Sequence, residues 1–173
     1  MKSYWVINAK LMAGEYPGSS ESLITRCRIR DLLSQGVNRF IDLTEVGEYG
    51  LLPYLNELNH EASLAGVNVT YHRFPIPDMS MPTAEEMRRI LKVLGDSLKG
   101  DDAIYLHCYG GKGRTGTVVG CFLVEQGFSG KEALQQIENL RGERLRQGGS
   151  SPETEAQRDM VINWRNADEG GAL

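Results

Sequence analysis

Apolar positions along the chain follow two rhythms, short runs and helical stripes, which alternate from one end to the other. Short runs rich in strand formers fall at 37–43, 67–74 and 103–107. A looser alternation over 4–13 predicts an edge strand that ends in the turn Gly14-Glu15-Tyr16-Pro17-Gly18. Between the runs lie helical patterns. Residues 20–34 place Leu23, Ile24, Cys27, Leu32 and Leu33 toward a core, with Gly36 as the stop. Residues 53–64 predict a short helix closed by Gly66. Thr83-Ala84-Glu85-Glu86 has capping-box spacing, and Met87, Ile90, Leu91, Leu94 and Leu98 then share one face. Residues 113–127 predict another helix, and Ser129 with Glu132 caps a further one carrying Ala133, Leu134, Ile137 and Leu140. The last helix is predicted to take Ser151 as its cap and Pro152 in its first turn, burying Ala156, Met160, Val161 and Trp164.

Strands alternating with helices predict an α/β fold: a central, mostly parallel sheet of about four to five strands flanked by helices. The three closing helices are expected together over one face. A length of 173 residues without an internal linker or repeat predicts a single domain over 1–173. The 40% apolar and 24% charged residues are those of an ordinary globular protein. A net charge of −4 leaves no basic footprint for nucleic acid. Any positive potential for an anionic substrate must therefore be local. Cysteines at 27, 108 and 121, odd in number and without a CxxC pair, argue against a disulfide framework or a zinc knuckle. Free thiols, an N-terminus interrupted by Asn8 and Lys10, and no apolar stretch of membrane length predict a cytoplasmic protein.

The chemistry concentrates in His107-Cys108-Tyr109-Gly110-Gly111-Lys112-Gly113-Arg114-Thr115-Gly116, between a buried strand and the start of a helix. Glycines in a tight loop let successive backbone N–H groups converge into an anion nest, and the helix adds its positive end. Cys108 at the mouth of the nest is expected to be largely thiolate, a nucleophile that needs no separate base. Arg114, six positions on, can grip two phosphate oxygens at once with its guanidinium fork. Phosphoryl transfer needs little beyond positioning and charge neutralisation.

These residues match a C-x5-R-[S/T] pattern, and the sequence resembles the protein tyrosine phosphatase superfamily in its small dual-specificity-like branch. Cys108-Tyr109-Gly110-Gly111 resembles the loop of kinase-associated phosphatases. The resemblance implies a cysteine phosphatase fold and no cofactor. It makes Cys108 the nucleophile that becomes a phosphocysteine, and Arg114 the phosphate ligand and transition-state stabiliser. Thr115 would assist departure of the thiolate, and His107 would orient the loop. Backbone at Tyr109, Gly110, Gly111, Lys112 and Gly113 would complete the phosphate cradle. Asp78, in Ile76-Pro77-Asp78 between a strand and the capped helix, resembles the family's general acid. Gln157 resembles a glutamine that positions water for thiophosphate hydrolysis, with a solvated helix position as its alternative. Lys112 resembles a lysine of lipid-phosphate phosphatases, though Tyr109 stands where those enzymes carry a second base. Arg141, Arg144 and Arg146 read as a solvated helix end, with a positive rim as the alternative.

The function expected is hydrolysis of phosphomonoesters: a protein phosphatase acting on phosphotyrosine and also on phosphoserine or phosphothreonine. A phosphoinositide or inositol phosphate phosphatase is the alternative, and a catalytically inactive phosphate-binding module is the alternative of another class. The expected partner is a phosphorylated protein or a small phosphomonoester. Gly111, Gly113 and Gly116 formally match a dinucleotide fingerprint, but no strand ending in an acid follows at the required distance. His60, His72 and His107 lack metal-ligand spacing, and Cys27 and Cys121 read as core.

Overall fold

The computed structural model describes residues 1–165, so the end of the expected 1–173 span lies outside the described residues. The strands are β1 (Ser3–Ile7), β2 (Leu11–Gly14), β3 (Arg39–Asp42), β4 (Thr70–Arg73) and β5 (Ile104–His107). They form one sheet in the order β1-β2-β5-β3-β4, antiparallel between β1 and β2 and parallel elsewhere. The expected edge strand over 4–13 is thus a hairpin. Lys10 N–H returns to Ile7 O at 3.1 Å, and Ala9 takes a left-handed φ of 56°. Asn8 and Lys10 break the apolar run at that bend, which turns β2 inward to become a central strand.

Side chains alternate across the sheet and separate the core into two layers. Met12, Phe40 and Tyr105 pack on one face with Ile29, Leu32 and Leu58 of α1 (Ser22–Ser34) and α2 (Leu55–Ala65). Leu11, Ile41, Ile104 and Leu106 pack on the other. That second face carries α3 (Ala84–Leu98), α4 (Gly113–Glu125), α5 (Gly130–Arg146) and α6 (Glu155–Asn163). The three closing helices do pack together there, around α4.

Two helices differ from the sequence expectation. In α1 the buried stripe is Thr25, Ile29, Leu32 and Leu33, spaced i, i+4, i+7, i+8. Leu23, Ile24 and Cys27 consequently face solvent. α6 is capped by Thr154, not Ser151: the Thr154 hydroxyl accepts from Gln157 N–H, and the Gln157 side chain accepts from Thr154 N–H at 3.1 Å. Ala156 is then exposed, and Gln157 turns inward with Val161.

Candidate active site

β5 ends at His107 and α4 begins at Gly113, so residues 108–112 form a tight bend. It lies at the carboxyl end of the sheet, where α/β folds place their ligands. Gly111 adopts a φ of +67°, and a Cβ there would stand 2.4 Å from the carbonyl carbon of Gly14. Only glycine fits. Tyr16 N–H donates to Tyr109 O at 3.0 Å, so the turn after β2 braces the bend from outside. From the opposite side, Ser151 donates its hydroxyl to Lys112 O at 2.9 Å.

Of the site residues expected from sequence, Cys108, Tyr109, Gly110, Lys112, Gly113, Arg114, Asp78 and Gln157 line one cavity of about 230 Å³. Met79 and Glu153 complete its wall. Gly111, Thr115 and His107 are not part of its lining. Cys108 and Arg114 are buried, at 2% and 1% exposure, so the reacting group and its counter-charge lie at the base of the pocket.

Arg114 is fixed by three partners. Its two terminal nitrogens meet the two carboxylate oxygens of Glu48 at 2.5 and 2.6 Å. Nη1 also donates to Ile76 O at 2.9 Å, and Nη2 lies 2.9 Å from Asp78 Oδ1. The other Asp78 oxygen accepts from the Tyr49 hydroxyl at 2.9 Å. Tyr49 holds a left-handed φ of 49° and packs its ring on Tyr109, centroids 5.5 Å apart. Two aromatic rings therefore flank the acid loop and the phosphate bend.

Behind the bend, His107 is fully buried. Its Nε2 lies 2.7 Å from the Tyr54 hydroxyl and its Nδ1 3.4 Å from Cys108 O. A carbonyl only accepts, which assigns the ring proton to Nδ1 and makes Tyr54 the donor to Nε2. Burial pushes the His107 pKa below its ordinary value despite the nearby Asp42, so the ring is neutral. Asp42 itself accepts from Thr44, Tyr71 and Arg73 and ties β3 to β4 below the site. The Thr115 hydroxyl is buried with no hydrogen-bond partner among the described residues.

Lys112 is paired: its ammonium reaches Glu153 at 2.8 Å and Gly148 O at 2.9 Å. Gln157 is not a solvated helix residue. Its carboxamide oxygen accepts from the backbone N–H groups of Glu153 and Thr154, and its nitrogen donates to Ser80 O at 2.8 Å. Arg141 departs from the solvated reading as well, being 5% exposed and bonded to Glu138, Leu145 O and Gly149 O. Arg144 and Arg146 are exposed. Among the described residues no group of three His, Cys, Asp or Glu side chains is arranged to hold a metal ion.

Sequence reasoning missed Glu48, Tyr49 and Tyr54. All three lie in the segment after β3, a strand between β5 and β4. The legible signal was position: a loop leaving the carboxyl end of a central parallel strand faces the same site as its neighbours.

A buried cysteine beneath a glycine bend, with an anchored arginine six residues on at the start of α4, is the arrangement of the cysteine phosphatase fold. The chain belongs to the family described as Swiss Army Knife protein, DSP-PTPase phosphatase domain, whose model matches residues 2–162. It is 30% identical over 140 residues to 067L of Invertebrate iridescent virus 3, a protein named as a tyrosine phosphatase, covering 78% of this chain and 51% of that one. It is 29% identical over 118 residues to human cyclin-dependent kinase inhibitor 3, covering 67% and 50%. The chain spans about half of 067L and between about a third and a half of the cyclin-dependent kinase inhibitor 3 relatives it matches. Among solved structures it resembles kinase-associated phosphatase with a TM-score of 0.74, 22% identity, and 94% and 89% coverage. It also resembles Tk-PTP in its active form with a TM-score of 0.69, 22% identity, and 92% and 93% coverage. No helix among the described residues is long and apolar enough to cross a membrane.

Proposed function

We propose that the chain hydrolyses phosphomonoesters through a phosphocysteine on Cys108, as a protein phosphatase acting on phosphotyrosine and also on phosphoserine and phosphothreonine. One observation carries the reading: Cys108, Arg114 and Asp78 line the same small cavity, at the amino end of α4. In the first step the Cys108 sulfur bonds to phosphorus as the ester P–O bond breaks, and the Asp78 carboxyl gives its proton to the leaving oxygen. In the second, water attacks phosphorus and passes a proton to Asp78, and the S–P bond breaks to return the thiolate. The Thr115 hydroxyl, without a partner among the described residues, is available to donate a hydrogen bond to that thiolate.

Arg114 is pre-set for this work. Glu48 holds its guanidinium plane, so little reorganisation is left for the moment of reaction. The substrate phosphate takes the place of Asp78 at Nη2 and releases that carboxyl toward the leaving oxygen. The Tyr49 and Tyr109 rings offer faces to the phenyl group of phosphotyrosine. A reducing, cytoplasmic setting suits a nucleophilic thiol and the free Cys27 and Cys121.

The test is turnover of para-nitrophenyl phosphate and of a phosphotyrosine peptide, both abolished by Cys108→Ser with peptide binding retained. An inert wild type that still bound the peptide would instead mark a phosphate-binding module. Turnover of inositol phosphates far ahead of peptides would move the substrate class.

A further inference from the structure

One short turn after β3, Glu48–Gly50, touches both members of the Arg114–Asp78 pair. Glu48 takes the guanidinium, and the next residue, Tyr49, gives its hydroxyl to Asp78 Oδ2 at 2.9 Å. The backbone is bent to allow this. Gly47 and Gly50 are left-handed at a φ of 73°, and Tyr49 between them is left-handed at 49°. That region is disfavoured for any residue with a side chain.

Core packing does not explain that conformation. Tyr49 is 72% exposed and belongs to neither layer of the core. Its ring leans on Tyr109, and its hydroxyl ends on Asp78. On a solvated surface one such bond stabilises the fold only slightly, so the disfavoured turn points to a use at the acid. The acid loop itself is held by its backbone: Pro77 precedes Asp78, Met79 follows with a φ of 58°, and Gln157 donates to Ser80 O. The Asp78 side chain is held at its two oxygens, Oδ1 by Arg114 and Oδ2 by Tyr49. A phosphate that takes Arg114 removes the first of these holds. The second remains.

We propose that Tyr49 is a positioning residue for the general acid, its hydroxyl holding Asp78 Oδ2 while the substrate phosphate displaces Oδ1 from Arg114. The inference rests on the phosphatase reading and deepens it at the same site. A hydroxyl that donates to Oδ2 makes that oxygen the acceptor, so the acid proton sits on Oδ1. In the first step the Oδ1–H bond breaks as the leaving oxygen takes the proton. In the second, a proton from the attacking water returns to Oδ1. Tyr49 keeps its own proton throughout, because the bond to Asp78 raises its pKa above the ordinary phenol value. One turn thereby sets both the cation and the acid, Glu48 through Arg114 and Tyr49 through Asp78.

The test follows kcat/KM of the full chain across aryl phosphates from para-nitrophenyl to phenyl phosphate, since that constant reports the step that breaks the ester bond. Tyr49→Phe keeps the ring and removes the donor. Its loss is expected to grow with the basicity of the leaving oxygen, reaching about tenfold on phenyl phosphate, the size of one hydrogen bond to a charged group. In an Asp78→Asn background the same substitution should add almost nothing on phenyl phosphate, because the group it acts through is gone. A Tyr49→Phe protein equal to wild type, or a loss equal across the series, overturns the positioning role. So does a loss that persists in full beside Asp78→Asn, which would make Tyr49 a direct contact to substrate. If wild type hydrolyses none of the series, or Asp78→Asn loses nothing, the underlying catalytic reading has failed and takes this inference with it. An active wild type that needs Asp78 but not the Tyr49 hydroxyl sinks this inference alone.

Discussion

Glu48 grips Arg114 with both carboxylate oxygens, at 2.5 and 2.6 Å, from a loop 66 residues away in sequence. Both side chains are almost fully buried, 1% and 5% exposed, so neither charge is satisfied by water. Removing one partner strands the other, and a broken buried pair costs about 3–5 kcal/mol. Glu48→Ala should therefore lower the urea midpoint markedly and also weaken phosphate binding, because the guanidinium loses its fixed plane. Glu48→Gln keeps one acceptor and should lose activity with a smaller loss of stability. A Glu48→Ala protein as stable and active as wild type would show that Arg114 needs no anchor.

Asp78 is expected to matter in proportion to the leaving group. With Asp78→Asn, hydrolysis of alkyl phosphates should fall about 10²–10⁴-fold, the usual contribution of a positioned general acid. Activated aryl esters, which leave without a proton, should lose far less. Equal losses on both would take Asp78 out of the acid role and leave it as a partner of Arg114 and Tyr49.

Gln157 spends both ends of its carboxamide on backbone: it receives two N–H groups at the start of α6 and donates to Ser80 O in the acid loop. It thus ties the Asp78 loop to α6. Gln157→Ala should slow turnover of poor leaving groups, and should cost about 1–3 kcal/mol by orphaning buried donors. Product partitioning between water and an added alcohol should not change. A shift in that partitioning would restore the water-positioning role that the resemblance implied.

How much of this was visible beforehand follows from range. The bend from Cys108 to Arg114 is local, and its glycines, thiol and guanidinium announce a phosphate nest wherever they fold. The parallel sheet was legible from alternating runs, and the capping boxes at Thr83 and Ser129 both formed. What stayed hidden depends on partners distant in sequence. Gln157 reads as a solvated helix position until Ser80 is beside it, and Arg141 reads as a helix end until Gly149 folds back onto it. The outward turn of Leu23 and Ile24 was ambiguous for another reason. Two apolar stripes compete on α1, and only the sheet decides which is buried.

The buried neutral His107 makes stability depend on pH in a defined window. Its folded pKa lies below the ordinary histidine value of 6.5, with burial as the main cause. Between the two values the unfolded chain holds a proton that the folded one lacks, so stability rises with pH there and falls as pH drops below about 6.5. Asp42 acts lower: burial resists its ionisation, but His107 and the hydrogen bonds from Tyr71 and Thr44 outweigh that and hold its pKa below 3.8. Its contribution is present above that value and is lost as pH falls through the folded pKa. Urea denaturation from pH 7.5 down to 5 should therefore show a steady loss in wild type, before any carboxylate as low as Asp42 titrates. His107→Gln removes the titrating ring and should flatten that segment, at some cost in baseline stability from the lost Tyr54 bond. A wild type whose stability is level from pH 7 to 5, or rises on acidification, would mean that His107 is charged in the folded protein, and the neutral tautomer bridging Tyr54 and Cys108 would have to be abandoned.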